Sequence, residues 1–450
     1  MSKFEDVLQN IVIAQAPGGY FYDRVFVVSA YNNVTNWLLE HKKTGEPGVY
    51  DLFVKKSDYR KALDVLLGKL LAINKEMAGI GLDLEEAETF IRDRVDQCRN
   101  YLVSLEEVIA SGYVNKPNIL LAAREILASI GEAHSAFNSV NILKNNKIES
   151  VFVDLCGFHD AEYLSIDERI KQAFAKIDFS RQVPIATGYT KGTEGIMREF
   201  DRGYSEVTFS KIAVAVKAEE AVIHKEYHLS SANPAIMGVE NSKPVGATNF
   251  NVADQLADIG MEAIHPKASK PLEVAGINIR IKNTFEPAHP GTLISNEYVG
   301  EESRVEIISG TDRVLAIEVH DPFMVGQAGY DMNLMKVIHR HQLSYILKAT
   351  NANSITMVFW EKDISDALLT ELKGLYQKIT VKKAAMVCAM GTNITYPGSL
   401  AKAATALFEG GVNVEAVSQS LMQVNMQFVI GRKDYQNAIR VLNQALCVEE

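Results

Sequence analysis

The sequence predicts an α/β protein: a large domain built on a mostly parallel sheet between helices, followed by two small βαββαβ units. Three observations carry this. Strand-like apolar runs alternate with helical patterns between residues 151 and 281. One order of elements occurs twice in the last third, offset by about 71 residues. Of the 450 residues 47% are hydrophobic, enough for a large core divided into two or three domains.

Along the chain, Val25-Phe26-Val27-Val28-Ser29 is a short, continuously apolar run ending in a small polar residue. It reads as a buried parallel strand whose carboxyl end opens into a functional loop. Three helices follow. In the first, Leu63, Leu66, Leu67, Leu70 and Leu71 keep helical spacing behind Ser57 as N-cap. The second covers 85–110, with Phe90, Ile91, Val95, Leu102 and Leu105 inward. The third covers 117–143 and carries Gly131-Glu132 in its middle. That glycine costs about 1 kcal/mol against alanine in a helix, so its place there asks for a packing or functional reason.

Strands at 151–155, 183–187, 221–224 and 277–281 alternate with helices at 206–218, 251–259 and 266–275. Residues 285–291 are dense in turn formers and close the large domain. The first small unit has strands at 314–319, 343–349 and 355–360. Its helices are 330–341 and 363–377, the latter with Leu368, Leu372 and Leu375 on one face. The second unit repeats this order: strands at 385–390, 412–418 and 426–430, and helices at 398–409 and 434–446. Such units suit sensing or dimerisation better than chemistry of their own.

The formal net charge of −10 argues against a nucleic-acid partner, although a local cationic pocket still accommodates a nucleotide. Cys98, Cys156, Cys388 and Cys447 are scattered, without metal-ligand spacing or a disulfide pattern, as in a reducing cytoplasm. No apolar run reaches membrane-spanning length, and residues 1–10 do not read as a signal peptide. A cytoplasmic protein without membrane or nucleic-acid partners is expected.

Three segments carry chemistry. The first is the strand and its exit, Phe26-Val27-Val28-Ser29-Ala30-Tyr31-Asn32-Asn33-Val34-Thr35-Asn36; the second is Ile130-Gly131-Glu132. The third is Gly188-Tyr189 with Arg202-Gly203-Tyr204-Ser205-Glu206. In the third, Gly203 lets backbone approach a phosphate, Ser205 can cap the helix, and the helix start favours an anion. Each has a bland reading too: Thr35 as a helix cap, Glu132 on a solvated face, residues 203–206 as a capped surface helix.

In this order the three segments resemble the aspartate kinases. Ser231-Ala232-Asn233-Pro234, Ile264-His265-Pro266 and Pro290-Gly291-Thr292-Leu293-Ile294 extend the resemblance over nearly the whole chain. In the second small unit, Pro397-Gly398-Ser399-Leu400, Gly411-Val412-Asn413-Val414 and Gln419-Ser420 resemble the effector loop of an ACT domain. The wording at 41–50, 224–228 and 283–287 is similar to aspartate kinases associated with ectoine synthesis.

The resemblance implies an amino-acid kinase fold at 1–300 and ACT-like domains at 310–382 and 383–450. It implies phosphorylation of the L-aspartate β-carboxylate by ATP with Mg²⁺, and homodimers or higher oligomers formed through the ACT-like domains. Glu132 would meet the substrate ammonium, Arg198 its α-carboxylate, and Ser29 and Thr35 would add hydrogen bonds. Arg202, Gly203 and Ser205 would line the transferring phosphate, and His224, Lys225, Ser230 and Asn233 the nucleotide. No protein metal ligand is assigned.

An effector, lysine or threonine, is expected at Met324, Gln327, Ala328, Gly329, Tyr330 and Asp331. There the loop before a helix offers N–H groups to a carboxylate, and Asp331 an anion to an amine. The alternative is that this unit only dimerises.

The chain also departs from the family pattern. The opening lysine and Gly-Gly-Thr-Ser are not found: Lys3-Phe4 has no glycines after it, and Met1-Ser2 falls just past that motif in register. The sequence therefore leads us to expect that a first strand and phosphate loop precede Met1 in register, leaving one edge of the Val25–Ser29 strand unpaired. Where many relatives have lysine, Glu262 stands. Another amino-acid or carbamate kinase, and a non-catalytic amino-acid-binding relative, stay open as readings of the same residues.

Overall fold

The structure is a computed structural model that describes residues 3–14, 21–42, 44–200, 203–261 and 264–447. In chain order it begins with α1 (Phe4–Val7), β1 (Phe26–Val28), α2 (Val34–Leu38), α3 (Val49–Val54), α4 (Tyr59–Met77) and α5 (Leu84–Ser111). Next come α6 (Lys116–Asn145), β2 (Ser150–Val153), α7 (Ile166–Phe174), β3 (Val183–Thr187), α8 (Ile196–Glu199) and α9 (Tyr204–Ala215). The middle holds β4 (Glu220–Lys225), α10 (Pro234–Met237), β5 (Ala247–Asn249), α11 (Phe250–Asp258), α12 (Pro266–Ala275), β6 (Asn278–Asn283) and β7 (Thr292–Ser295). The last third runs β8 (Ile307–His320), α13 (Tyr330–Arg340), β9 (Leu347–Thr350), β10 (Ser354–Trp360) and α14 (Asp366–Leu375). It ends with β11 (Lys378–Met390), α15 (Ser399–Glu409), β12 (Val414–Gln419), β13 (Asn425–Gly431) and α16 (Tyr435–Leu446).

Two compact units result. One comprises Met1–Ala221, Lys267–Ile277 and Thr284–Pro287; the other comprises Val222–Pro266, Asn278–Asn283 and Ala288–Glu450.

In the first unit β1, β3 and β2 form a parallel sheet in that order. Every residue of the middle strand β3 is buried. The outer side of β1 pairs with no strand among the described residues. Helix α6 is buried nearly all round from Leu127 to Leu143, as expected of a helix inside a domain rather than on its surface. Ile91, Val95 and Leu102 of α5 are fully buried. Phe90 stacks on Phe137 of α6 at 4.0 Å, and both rings meet Phe152 of β2 edge-on. The cap of α4 is a correction. Asp58, not Ser57, accepts from the Lys61 N–H at 3.1 Å, because the helix begins one residue later than its leucine pattern indicates.

In the second unit β4, β6, β7 and β5 form a mixed sheet. Within it β5 and β7 are parallel, as expected of a mostly parallel domain, while β6 and β7 are antiparallel. The turn formers at 285–291 reverse the chain, and it continues directly into the strand Thr292–Ser295, which the sequence pattern did not indicate.

The two terminal repeats share one antiparallel sheet, ordered β12-β13-β11-β8-β10-β9. Both β8 and β11 are long enough to serve both repeats. Residues 307–311 of β8 pair with 386–390 of β11, and 314–320 pair with 378–384, with a bulge between the two stretches. Ile317, Val319, Leu334, Phe359, Leu368 and Leu372 belong to the first repeat's core. Val305 and Ile308 pack instead with Val387, Leu407, Phe428, Ile439 and Leu442 in the second. Thus β11 crosses residue 383 without a break. Leu375 is 56% exposed, contrary to the expected inward face: α14 ends there, and Tyr376 turns in at 9% exposure.

Gly131 has the packing reason its helical cost asked for. A Cβ there would lie 2.7 Å from Ala30 Cβ and 3.2 Å from Val34 Cγ1. Neither neighbour can yield by rotating a long side chain. Gly131→Ala is therefore expected to destabilise by about 1–3 kcal/mol, overriding the usual helical gain of about 1 kcal/mol. Urea unfolding measures this, and a stabilised variant would contradict the close approach.

Candidate active site

Ligands of parallel α/β sheets bind beyond the carboxyl ends of the strands, and the first unit concentrates polar groups there. Helix α6 supplies the floor. Its Ser135 hydroxyl donates to the Ser29 carbonyl at 2.8 Å, and Gly131 lets Ala30 descend onto the helix. These two contacts seat the loop that leaves β1.

The start of α9 closes on the same point. The Gly188 N–H donates to the Val28 carbonyl at 2.9 Å, tying the end of β3 to β1. A Cβ on Gly188 would lie 2.6 Å from Ser205 Oγ, so a side chain there would displace α9. Gly203 takes a φ of 87° and opens the helix. The Ser205 Oγ then stands 3.3 Å from both Ser29 Oγ and Glu132 Oε1. Tyr204, also buried, brings its hydroxyl to 3.5 Å from Glu132 Oε2.

Glu132 is 1% exposed. Burial pushes its carboxyl up to about 7, opposed by neutral hydrogen-bond donors: its own backbone, Tyr204, Ser205 and the Ala30 backbone. A cation delivered by a ligand would reverse the shift. The solvated-face reading of this residue is therefore corrected. The cap reading of Ser205 is corrected too: Gly203 is the N-cap and, having no side chain, makes no side-chain cap bond, while the serine hydroxyl turns toward Glu132 and Ser29.

The other expected residues fall as follows. Thr35 lies in the first turn of α2, beside Val34, and is not the N-cap; that position is Asn33. Arg198 is an exposed residue of the short helix α8. Arg202 lies outside the described residues, as does Glu262. His224 and Lys225 end β4 in the second unit, and Ser230 and Asn233 occupy the following turn. There Asn233 Oδ1 accepts from the Ala235 N–H at 2.9 Å.

In the first terminal repeat Gly329 is the N-cap of α13 with a φ of 77°. The Tyr330 hydroxyl donates to Asp321 Oδ2 at 2.7 Å. Asp331 is ion-paired with Lys348 of β9, so an amine arriving there would compete with an internal cation.

Glu125, unassigned from sequence, also belongs to this region. It accepts from the Met197 N–H at 2.7 Å and from the Tyr189 hydroxyl at 2.5 Å, anchoring the segment that carries Arg198. Its signal was its spacing: seven residues, about two helical turns, from Glu132 on α6. Burial raises its carboxyl, with Tyr189, the Met197 backbone, Arg198 and Arg124 opposing.

A buried carboxylate between hydroxyls, at the strand ends of a parallel sheet, could hold a small cationic or zwitterionic ligand, in an α/β domain that precedes two repeats sharing one antiparallel sheet. Residues 2–283 match the amino acid kinase family, and residues 387–446 match an ACT domain. Aspartate kinase Ask_Ect of Stutzerimonas stutzeri (strain A1501) is 45% identical over 100% of this chain and 96% of its own length. The chain belongs to the aspartate kinase family.

Solved structures agree on the fold. Aspartate kinase of Clostridium acetobutylicum superposes with a TM-score of 0.71 at 18% identity, over 99% of this chain and 96% of its own. E. coli aspartokinase III in complex with aspartate and ADP gives 0.68 at 17% identity, over 94% and 93%.

Glu132 makes a prediction about stability. A carboxyl raised from 4.5 to about 7 in the folded state binds more protons there than in the unfolded chain. Its stabilising contribution is thus complete below the unfolded value and is lost as pH rises toward 7. Relative to Glu132→Gln, the ligand-free protein should lose on the order of 3 kcal/mol between pH 4.5 and 7. Paired unfolding curves across that range test it, and parallel curves would contradict the buried charge.

Proposed function

We propose that the chain transfers the γ-phosphoryl group of ATP to the β-carboxylate of L-aspartate, giving 4-phospho-L-aspartate and ADP. The observation that carries the substrate reading is Glu132, a buried carboxylate surrounded by neutral donors, which an amino-acid ammonium would keep ionised. A β-carboxylate oxygen attacks the γ-phosphorus while the bond from that phosphorus to the β,γ-bridging oxygen breaks. With an ordinary pKa near 3.9 the attacking group is already ionised, so no general base is needed. The barrier is one of bringing two anions together.

Glu132 holds the ammonium, and Arg198, steadied through Glu125, holds the α-carboxylate. Ser29 and Thr35 donate hydrogen bonds to the substrate. Arg202, Gly203 and Ser205 lie along the transferring phosphate. His224, Lys225, Ser230 and Asn233 contact the nucleotide. Among the described residues no group of three or more histidine, cysteine, aspartate or glutamate side chains could hold a metal ion. Mg²⁺ enters with the triphosphate it neutralises.

The protein acts in the cytoplasm, at the head of aspartate-family or ectoine synthesis, as a homodimer joined through its terminal repeats. No helix among the described residues is long and apolar enough to cross a membrane, and all four cysteines are free. The domains run 1–300, 310–382 and 383–450, with strand β11 crossing the last boundary and β8 beginning just ahead of residue 310.

A hydroxamate assay tests the reaction, with glutamate in place of aspartate as control. Glu132→Gln should raise the aspartate KM at least about tenfold and leave the ATP KM within about twofold, since only the charge-assisted contact weakens. Equal loss for both substrates would overturn the assignment. For regulation, the loop 324–331 takes lysine or threonine, whose amine displaces Lys348 from Asp331. Calorimetry with each amino acid should show binding that Asp331→Ala weakens about tenfold or more. Binding unchanged in the variant would exclude this pocket.

A further inference from the structure

Helix α16 is the last element among the described residues, and it buries Ala438, Ile439, Leu442 and Leu446 in the second terminal repeat. Asn443 falls in that apolar stripe at 0% exposure. A buried amide left unpaired costs about 1–3 kcal/mol, so its partner is informative. Its Nδ2 donates to Ser231, at 3.3 Å to the carbonyl oxygen and 3.4 Å to Oγ. Among the described residues its Oδ1 has no hydrogen-bond partner, so donation to Ser231 is what offsets the burial.

Ser231 sits between Ser230 and Asn233, the candidate nucleotide contacts. The turn is fastened from two sides. On one, the Ser231 N–H donates to the Lys243 carbonyl at 2.8 Å and Ser231 Oγ accepts from the Lys243 N–H at 3.1 Å. On the other, the Ser231 carbonyl accepts from the Ile308 N–H at 2.7 Å, and Arg440 Nε donates to the Ile236 carbonyl at 3.4 Å. Ala232 and Met237 complete this side, packed in the core that includes Leu442 and Leu446. The turn is thus built partly from the terminal repeat.

We propose that Asn443 is a positioning residue for the nucleotide turn, making α16 the back wall of the nucleotide site. Asn443 never touches the nucleotide; it acts by fixing the Ser231 peptide, and so the directions of Ser230 and Asn233. This rests on reading Ser230 and Asn233 as nucleotide contacts.

The test uses the full chain, with KM measured separately for ATP and aspartate, and thermal shift measured with ADP alone. Asn443→Leu keeps the volume and removes the donor; Asn443→Asp keeps the shape and removes it too. Each should raise the ATP KM about threefold to tenfold, leave the aspartate KM within about twofold, and shrink the ADP-induced thermal shift. If Asn443→Leu does not fold, Asn443→Ser, smaller and free of clash, is read by the same split.

Equal rises in both KM values, or a lower melting temperature with both values unchanged, would overturn the proposal in favour of a purely structural amide. Asn233→Ala separates the two readings. If it raises the ATP KM and the Asn443 variants do not, the positioning role fails while the nucleotide turn stands. If Asn233→Ala and Ser230→Ala both leave the ATP KM unchanged, the nucleotide turn itself is wrong and the inference falls with it.

Discussion

A carboxylate buried in the middle of a 30-residue helix governs the geometry of the first unit. To hold Glu132 away from water, the protein must bring the loop after β1 and the start of α9 down onto α6. Both approaches are closer than a side chain permits, so glycine stands at Gly131 and Gly188. Hydroxyls from Ser205 and Tyr204 then face the carboxylate without neutralising it. The result is a buried carboxylate faced by neutral donors, at the strand ends where the sheet opens.

The longer helices and the strands β1 to β4 and β6 were legible in the sequence because helical and strand periods are local properties, whereas α7, β5 and β7 were not read. The leucines of α4 and the apolar run at β3 announced themselves. What was not legible depended on distant partners. Whether β6 and β7 run parallel is decided by which strand each finds, not by their composition. The sharing of β8 and β11 was hidden because a long strand serving two cores reads, in sequence, like the strand of either one. Leu375 kept the right spacing, yet the helix stopped and Tyr376 took the inward place.

The candidate site shows the same division. Ser29, Glu132 and Ser205 were singled out by motif, and in the structure they meet. Their roles were less clear: Ser205 read as a cap because serine near a helix start usually is one, and only the position of α9 over Gly188 turns its hydroxyl elsewhere. Glu125 and Asn443 had no motif at all. Each is a polar residue in an otherwise inward-facing stripe, and each gains meaning only from a backbone group brought to it by folding. In the second unit that backbone group belongs to the turn at 231, which ties the terminal repeat to segments far earlier in the chain.

The central claim is that Glu132 awaits a cation and that the substrate supplies it. Calorimetry of aspartate binding in buffers of differing ionisation enthalpy measures it directly. Near pH 6.5 a carboxyl raised to about 7 is mostly protonated in the free protein, and an arriving ammonium should expel that proton. The account predicts release of a sizeable fraction of one proton per aspartate bound, vanishing in Glu132→Gln. Binding of aspartate with no proton release in the native protein would contradict it.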